Sequence, residues 1–513
     1  MAADELVIGV DIGTQSTKAA LMSVRGRLLA QHAQGYGVEM PRPLWAQQPA
    51  QPWLQAVQQC IRSVVDAGRR AHGLADGQVR AVAISGLYGG SGIPVDAQLE
   101  PLHPCLIWMD RRAQPQVDWV RKHVDVAELQ RITGNGVDSY YGFTKMMWLR
   151  EHAPDVWQHS WKLLPPNAWV VAQLTGEVAI DHSSAGNIGG VYDLALRGWS
   201  LPMLEQLGIP ARLMPERLVG SHEVVGTLRV SQAAALGLQA GTPIVAGGVD
   251  AAVATLAAGA VRPGRHVAML GTSMCWGTVR EGHAGSAGLI TMPHVVGALD
   301  RVYTFGGALT AGAAEVWARQ ALWEGDAVPE PAALEQAAAA LPAGSDGLLF
   351  LPYLMGERSP VWDARASAGF LGLGLRHRRT HLYRAVLEGV AFALQHNITA
   401  ALAGNGGLDE ELIAVGGAAR SDLWMQIIAD VTGRPVLTLA EDVEATQGAA
   451  MLAARGAGLI DEADMARGWV QPVLRATPDP KHRAAYAALY EQYVAAYPAL
   501  AGVMHGLASL GSA

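Results

Sequence analysis

The feature that most constrains this chain is a strand–turn–strand passage that occurs twice. Leu6 to Val10 is a short apolar run ending in Asp11-Ile12-Gly13-Thr14, and after a polar turn Lys18 to Met22 returns as a second strand. That pattern predicts a β-hairpin whose tip presents backbone N–H groups and hydroxyls. Just past the middle, His266 to Leu270, Gly271-Thr272-Ser273 and Cys275 to Val279 repeat the arrangement. The repeat is one of form more than of letters, and it predicts two related domains facing each other. A length of 513 residues agrees, since it exceeds what one hydrophobic core usually organises.

Between and after the hairpins, strand-like and helix-like stretches alternate. Gln51 to Arg70 has the apolar spacing of an amphipathic helix, and Val79 to Ile84 reads as a buried strand. Leu163 to Leu174 reads as a strand passing into a helix, and Pro243 to Gly248 as a short strand immediately before Asp250. The domain boundary is expected there, giving halves 1–246 and 247–513. Pro329 to Gly344 carries helix start and stop signals. Leu348 to Leu351 is a strand leading into the loop Gly356-Glu357-Arg358-Ser359-Pro360, and helical pattern resumes from His381 to Asn397. Leu412 to Val431 is a last strand–turn–helix unit, turning at Gly416 to Ser421.

Composition excludes several function classes. Half the residues are hydrophobic and 16% are charged, which argues for a compact globular enzyme and against disorder. A formal charge of −8 gives no broad attraction to nucleic acid or to an anionic membrane. Cys60, Cys105 and Cys275 lack the number and spacing of a disulfide framework or zinc site. No basic segment followed by an apolar one opens the chain, and no uninterrupted apolar stretch has the length of a membrane helix. The expectation is a cytoplasmic protein acting on a small molecule, with a homodimer left open.

The chemistry suggested is phosphoryl transfer, which needs donors around phosphates and an anion to hold magnesium, largely through water. The first turn supplies Thr14, Gln15, Ser16 and Lys18 as donors and Asp11 as the metal-side carboxylate. Gly271, Thr272 and Ser273 repeat the donor-rich turn. Gly416 and Gly417 lie in a turn where a base and ribose could approach the backbone, although the same turn can simply start a helix. Asp250, after Gly247-Gly248-Val249, is placed to take a proton from an attacking hydroxyl. It can equally be a helix N-cap.

Taken in this order, the pieces resemble the FGGY carbohydrate kinases over about Leu6 to Tyr497. Asp11 to Lys18 is similar to the family's first phosphate motif and Gly271 to Ser273 to its second. Gly247 to Asp250 resembles the segment with the catalytic base, and Gly416 to Ser421 the adenosine motif. Two longer signatures are more specific: Ala368 to Leu373 followed by His381 to Glu388, and Lys145 to Leu149, in which Gly142 stands where Pro, Ser or Thr is usual. The resemblance implies an α/β fold of two duplicated ribonuclease H-like domains, of the actin and hexokinase ATPase type, with a cleft between them. It also implies ATP and Mg2+ as cofactors, with Gly312, Gly417 and Ser421 contacting nucleotide and Asp250 acting as base.

For the sugar, Gly356 to Pro360 resembles the loop of xylulokinases and gluconate kinases. Xylulokinases usually show Ser-Gly-Gln-Met-His-Gly where this chain has Ser85-Gly86-Leu87-Tyr88-Gly89-Gly90, and a polar residue where it has Ala251. The absent His predicts an enlarged pocket at Gly89 with one hydrogen-bond partner fewer. Asp138-Ser139-Tyr140 and Trp108 to Arg112 resemble glycerol kinase segments. The expected sugar contacts are therefore Tyr88, Trp108, Asp110, Tyr140 and Asp250. For Trp108 and Tyr140 the alternative is core packing; for Asp110 it is a helix cap or an ion pair with Arg111. The resemblance points to a xylulose-like ketopentose as substrate, with glycerol, erythritol, gluconate and ribulose as alternatives and a chaperone-type ATPase as the competing class.

Overall fold

The structure is a computed structural model that describes residues 5–325, 327–404, 407–439, 444–469 and 471–510. Two sheets organise it. The first is built from β1 (Leu6–Ile12), β2 (Ser16–Ser23), β3 (Leu28–Gly35), β4 (Val79–Gly86), β5 (Val224–Thr227) and β6 (Pro243–Val245), in the order β5-β6-β4-β1-β2-β3. The second contains β7 (His266–Leu270), β8 (Met274–Glu281), β9 (Ile290–Pro293), β10 (Arg301–Gly306), β11 (Leu412–Val415), β12 (Val436–Leu439) and β13 (Pro472–Ala476), in the order β9-β10-β8-β7-β11-β12-β13.

A shared five-strand pattern lies inside both sheets. In the first, β1, β2 and β3 form an antiparallel meander while β4 and β6 add in parallel on the other side of β1. In the second, β7, β8 and β10 form the meander and β11 and β12 add in parallel beside β7. The duplication predicted from two hairpins therefore extends to five strands of each sheet, and the architecture is the two-domain α/β fold expected. β1 is apolar on both faces, with Val7, Ile8, Val10 and Ile12 fully buried, because helices cover the sheet on both sides.

The predicted elements appear with small shifts in their ends. The helix expected over 51–70 runs Gln51–His72 and ends at Gly73, whose φ of 65° makes the left-handed cap. The strand-then-helix stretch resolves into Lys162–Leu164 and Pro166–Thr175. The helix expected over 329–344 spans Pro331–Ala339, and that expected over 381–397 extends to Arg379–Leu402. The chain passes from the first sheet to the second between Val245 and His266, the stretch that holds Asp250.

Two helices couple the halves. Asp250–Ala257 follows β6, and Ala445–Gly456 lies against both it and β1. A Cβ on Gly9 of β1 would sit 1.9 Å from the Thr446 carbonyl oxygen, and one on Gly448 would sit 2.0 Å from that of Val253. The Ala445–Gly456 helix can approach both neighbours at backbone distance only because these positions have no side chain.

Arg483–Leu510 is long and apolar enough, by length and composition, to cross a membrane. It nevertheless docks on the second domain. The Tyr486 hydroxyl donates to Glu388 at 2.9 Å, and Tyr497 and His505 both reach Asp363. Glu491 and Pro498 interrupt its apolar run.

Candidate active site

The site lies at the carboxyl ends of the parallel strands β1, β4 and β6. Asp11 is the penultimate residue of β1 and pairs with Ser85 of β4, whose hydroxyl donates to its carboxylate at 2.9 Å. Segment Gly247–Val249 continues from β6 along the end of β4, with the Gly86 N–H donating to the Gly248 carbonyl at 3.0 Å. Gly247 has φ of 69° and its Cβ direction is closed by the Ile84 carbonyl at 1.9 Å, so the turn that delivers Asp250 requires glycine. Asp250 is the first residue of its helix, one past the N-cap Val249, and its carboxylate accepts from the Ala251 N–H at 2.6 Å. It is thus not the cap residue itself, although its carboxylate still serves the helix start.

Electrostatics ties these two carboxyls to each other. Burial raises both above the ordinary carboxylate range, and the Asp11 charge pushes Asp250 up further while Arg358 opposes the rise. Such paired perturbation at the end of a strand marks a functional site. It also describes a place short of positive charge, which a divalent cation would supply. Among the described residues no group of three or more His, Cys, Asp or Glu is arranged as a metal cage. Magnesium held by one carboxylate, with water and phosphate oxygens as its other ligands, fits that donor set.

Both hairpin tips close in the same way. The Gly13 N–H donates to the Ser16 carbonyl at 2.9 Å, and the Gly271 N–H to that of Ser273 at 3.0 Å. Thr14 and Gln15 hold the first tip through their carbonyls, bonded by Gln48 Nε2 at 2.9 Å and the Tyr36 N–H at 3.0 Å. Lys18 pairs with Glu444, Nζ to Oε1 2.6 Å, with both side chains about 40% exposed. An exposed pair of this kind is worth at most about 1 kcal/mol, so the ammonium can exchange Glu444 for a phosphate. Gly271, Thr272 and Ser273 are all exposed, and the Gly312 N–H locks the tip by donating to the Gly271 carbonyl at 2.9 Å.

A cavity of about 750 Å³ opens beside this second tip, lined by Gly271, Thr272, Gly312, Gly417 and Ser421 among others. The expected nucleotide positions, widely separated in the chain, thus converge on one space large enough for a nucleotide. Gly416 adjoins them with φ of 97° and its Cβ direction 2.7 Å from the Leu270 carbonyl, so only glycine suits it. The Ser421 hydroxyl also caps the Asp422–Thr432 helix by accepting from the Trp424 N–H at 3.1 Å. Sequence reasoning missed Glu315, Trp317 and Tyr383 in the lining. Tyr383 lies within the long C-terminal signature, and its hydroxyl donates to Glu315 at 3.1 Å.

The sugar side differs from expectation in two ways. Tyr88 and Tyr140 do come together, with ring centroids 4.9 Å apart, and the Asp250 charge reaches Tyr140. Trp108 donates from its indole N–H to the Thr14 hydroxyl at 3.1 Å, tying the first tip to the same wall. Asp110, however, is fully buried, with one carboxylate oxygen held by the Ala46 N–H at 2.7 Å and Arg112 Nε at 2.8 Å and the other by the Arg112 N–H at 3.0 Å. It is a structural hub without a face left for sugar. Its partner is Arg112, which also stacks on Trp45, while Arg111 bonds Asp138.

Gly89 is the second correction. The cavity beside Tyr88 and Gly89 is about 10 Å³, room for one water, so the missing His leaves no enlarged pocket. A Cβ at Gly89 would meet Pro166 Cδ at 2.4 Å and Cys105 Sγ at 3.3 Å. Gly89→His should therefore cost about 1–3 kcal/mol by overpacking. Thermal unfolding should show a lowered midpoint, and a kinetic assay no gain with xylulose; an unchanged midpoint would contradict this packing. The nearby departure at Gly142 has a matching cause. Its N–H donates to the Tyr88 hydroxyl, and a Cβ there would sit 2.1 Å from the Gly90 carbonyl.

Residues 6–257 match the N-terminal domain of the FGGY family of carbohydrate kinases, and residues 266–457 match its C-terminal domain. The chain belongs to this family. It is a phosphotransferase that acts on a sugar hydroxyl, as FGGY kinases do with ATP. It is similar to the xylulose kinase of Escherichia coli strain K12, 31% identical over 87% of this chain and 89% of that protein. In structure it is similar to xylulose kinase from Rhodospirillum rubrum, with a TM-score of 0.89 and 30% identity over 98% of this chain and 100% of that one. Gluconate kinase from Lactobacillus acidophilus gives the same TM-score at 27% identity, covering 97% of this chain and 99% of that one. In this FGGY kinase, Asp11 and Asp250 lie side by side at the strand ends of the first sheet, and Arg358 and Trp362 of the second half reach Asp250 and Tyr140.

Proposed function

We propose that this FGGY kinase phosphorylates the terminal hydroxyl of an open-chain ketopentose, xylulose in the first place, with Asp250 as the base. The observation that carries the mechanism is Asp250, raised in pKa beside Asp11 at the strand ends and within reach of the Arg358 charge from the second half. The choice of sugar is supported by the xylulose kinases similar to this chain over most of its length. In this reading the halves are 1–246 and 247–513, and the protein works in the cytoplasm.

Bound ATP with magnesium supplies the electrophilic γ-phosphorus and screens the charge on its oxygens. The chain's own residues do the rest. Thr14, Gln15, Ser16 and Lys18 hold phosphate oxygens from one side, and Gly271, Thr272 and Ser273 from the other. Gly312, Gly416, Gly417 and Ser421 line the place for ribose and base. Asp11 holds the magnesium side. Asp250 orients the sugar hydroxyl and takes its proton as the new O–P bond forms and ADP departs with the broken one. Tyr88, Tyr140 and Trp108 wall the sugar, and closure of the halves keeps water from the γ-phosphate.

A second reading, an aldonate such as gluconate, is favoured by the likeness to a gluconate kinase and by Arg358, a cation whose charge reaches Asp250 and Tyr140. An ADP-release assay across ketopentoses, pentitols, tetritols, glycerol and gluconate tests both. Highest kcat/KM with xylulose is expected. Preference for gluconate would replace the ketopentose, and indifference to every sugar would count against Asp250 as a sugar-directed base.

A further inference from the structure

With the xylulokinase His absent and Asp110 engaged elsewhere, the sugar wall described above offers few groups that can recognise an acceptor's oxygens. Asn187 is such a group. It ends the short His182–Asn187 helix, is fully buried, and lies close enough to the Tyr140 hydroxyl to favour its ionised form. Its amide nitrogen can reach only that hydroxyl, without the geometry of a full hydrogen bond, and its amide oxygen has no partner. A buried primary amide whose oxygen has no partner and whose nitrogen has only a poorly aligned one is costly to keep and calls for a polar ligand.

Arg358 faces the same place from the other half. Its charge acts on Tyr140, Asp250 and Cys275, which come from three separate elements, and its Nε is buried without a partner. Its loop is firmly held. Glu357 and Asp363 exchange backbone hydrogen bonds at 2.8 and 3.0 Å, and Glu357 Oε1 accepts from the Arg358 N–H at 2.7 Å. The Trp362 ring packs 6.0 Å from Tyr140 and 6.2 Å from Tyr141, and its indole N–H donates to the Gly288 carbonyl at 2.7 Å. Trp362 thereby fixes the loop against Tyr140 of the sugar wall and its neighbour Tyr141.

We infer that Asn187 and Arg358 are specificity-determining residues, gripping from opposite halves the oxygen atoms of the open-chain acceptor remote from the hydroxyl that is phosphorylated. The amide offers one donor pair and one acceptor, suited to a hydroxyl. The guanidinium offers donors only, suited to a carbonyl or carboxylate oxygen. This rests on the sugar-kinase reading of the cleft but not on which acceptor is natural.

The test uses Asn187→Leu, near in size and unable to hydrogen-bond, with Asn187→Ser as a second variant and Arg358→Lys and Arg358→Gln for the partner. The acceptor KM should rise about 10- to 100-fold in Asn187→Leu and Arg358→Gln, less in Arg358→Lys, with the ATP KM unchanged. The sugar-free protein carrying Asn187→Leu should melt no lower than wild type, because an unsatisfied amide has been removed. A structural role, or a buried water on the amide, would instead leave the acceptor KM unmoved, and that result in both Asn187 variants overturns the inference. A rise in ATP KM equal to that of the acceptor in Arg358→Gln would also overturn it, placing the guanidinium on phosphate. All are measured with whichever acceptor the wild type uses best, so failure of the ketopentose reading shows as a change of acceptor and leaves this outcome distinct. If no acceptor is turned over by the wild type or raises its melting temperature, both fall.

Discussion

Asp250→Asn should lower turnover by about 10²–10⁴-fold while nucleotide affinity stays near that of the wild type. The amide keeps the shape and the bond from the Ala251 N–H but cannot take the hydroxyl proton. A second signature separates loss of a base from general damage. In the free protein the Asp250 carboxyl is raised from 3.8 to about 7, first by burial and then by Asp11. A carboxyl whose folded pKa exceeds its unfolded one stabilises the fold fully below the unfolded value, and that contribution is lost as pH rises through the folded value. Above neutrality the ionised carboxylate is thus a burden on the fold. Asn removes it, so the ligand-free variant should melt higher than the wild type at pH 8 and show little difference near pH 4. The kcat/KM profile should also carry an acidic limb, since the base must be ionised to act, lying below the free-protein value because magnesium beside Asp11 favours the ionised form. A variant with wild-type turnover would remove Asp250 from the role.

Gly448→Val should also abolish most activity, for an opposite physical reason. The glycine lets the Ala445–Gly456 helix lie on the helix that Asp250 begins, and Gly9 lets the same helix lie on the strand that carries Asp11. A valine side chain would start 2.0 Å from the Val253 carbonyl, which is backbone and can yield only if a whole helix moves. Overpacking of this kind costs about 1–3 kcal/mol or more. Displacing a catalytic carboxylate by ~1 Å can cost about 100-fold in rate. The expected result is a large fall in kcat together with a lowered melting temperature, whereas Asp250→Asn loses kcat with a raised one. Wild-type values for both quantities in Gly448→Val would show that the two helices are not the brace described. The contrast is measurable on two purified variants with one thermal-melt series and one coupled assay.

Local chemistry made much of this molecule legible in advance. A strand that ends in Asp-Ile-Gly-Thr and resumes at Lys18 can hardly do other than turn there, because glycine and hydroxyl residues relax backbone limits over a few positions. The same reasoning located the tip at Gly271, the turn at Gly416 and the strand that delivers Asp250. Periodicity found the Gln51–His72 helix because a buried face repeats with the helix turn. What spacing could not contain was which side chain meets which across the chain. Lys18 meets Glu444, Trp108 meets Thr14, and Trp362 leans on Tyr140 and Tyr141; each pair is brought together by packing between segments remote in sequence.

Both corrections at the sugar wall follow from this. Asp110 stood in a motif, but only folding revealed that Ala46 and Arg112 consume its oxygens. Gly89 implied empty space only until Pro166 and Cys105 were found filling it. The chain's letters therefore determined the two hairpins, the order of elements and the placing of Asp11 and Asp250 at strand ends, since these depend on backbone preferences acting over a few residues. Tertiary structure alone decided which polar groups are left unsatisfied in the cleft, because satisfaction depends on the complete set of neighbours, and distant segments supply most of them.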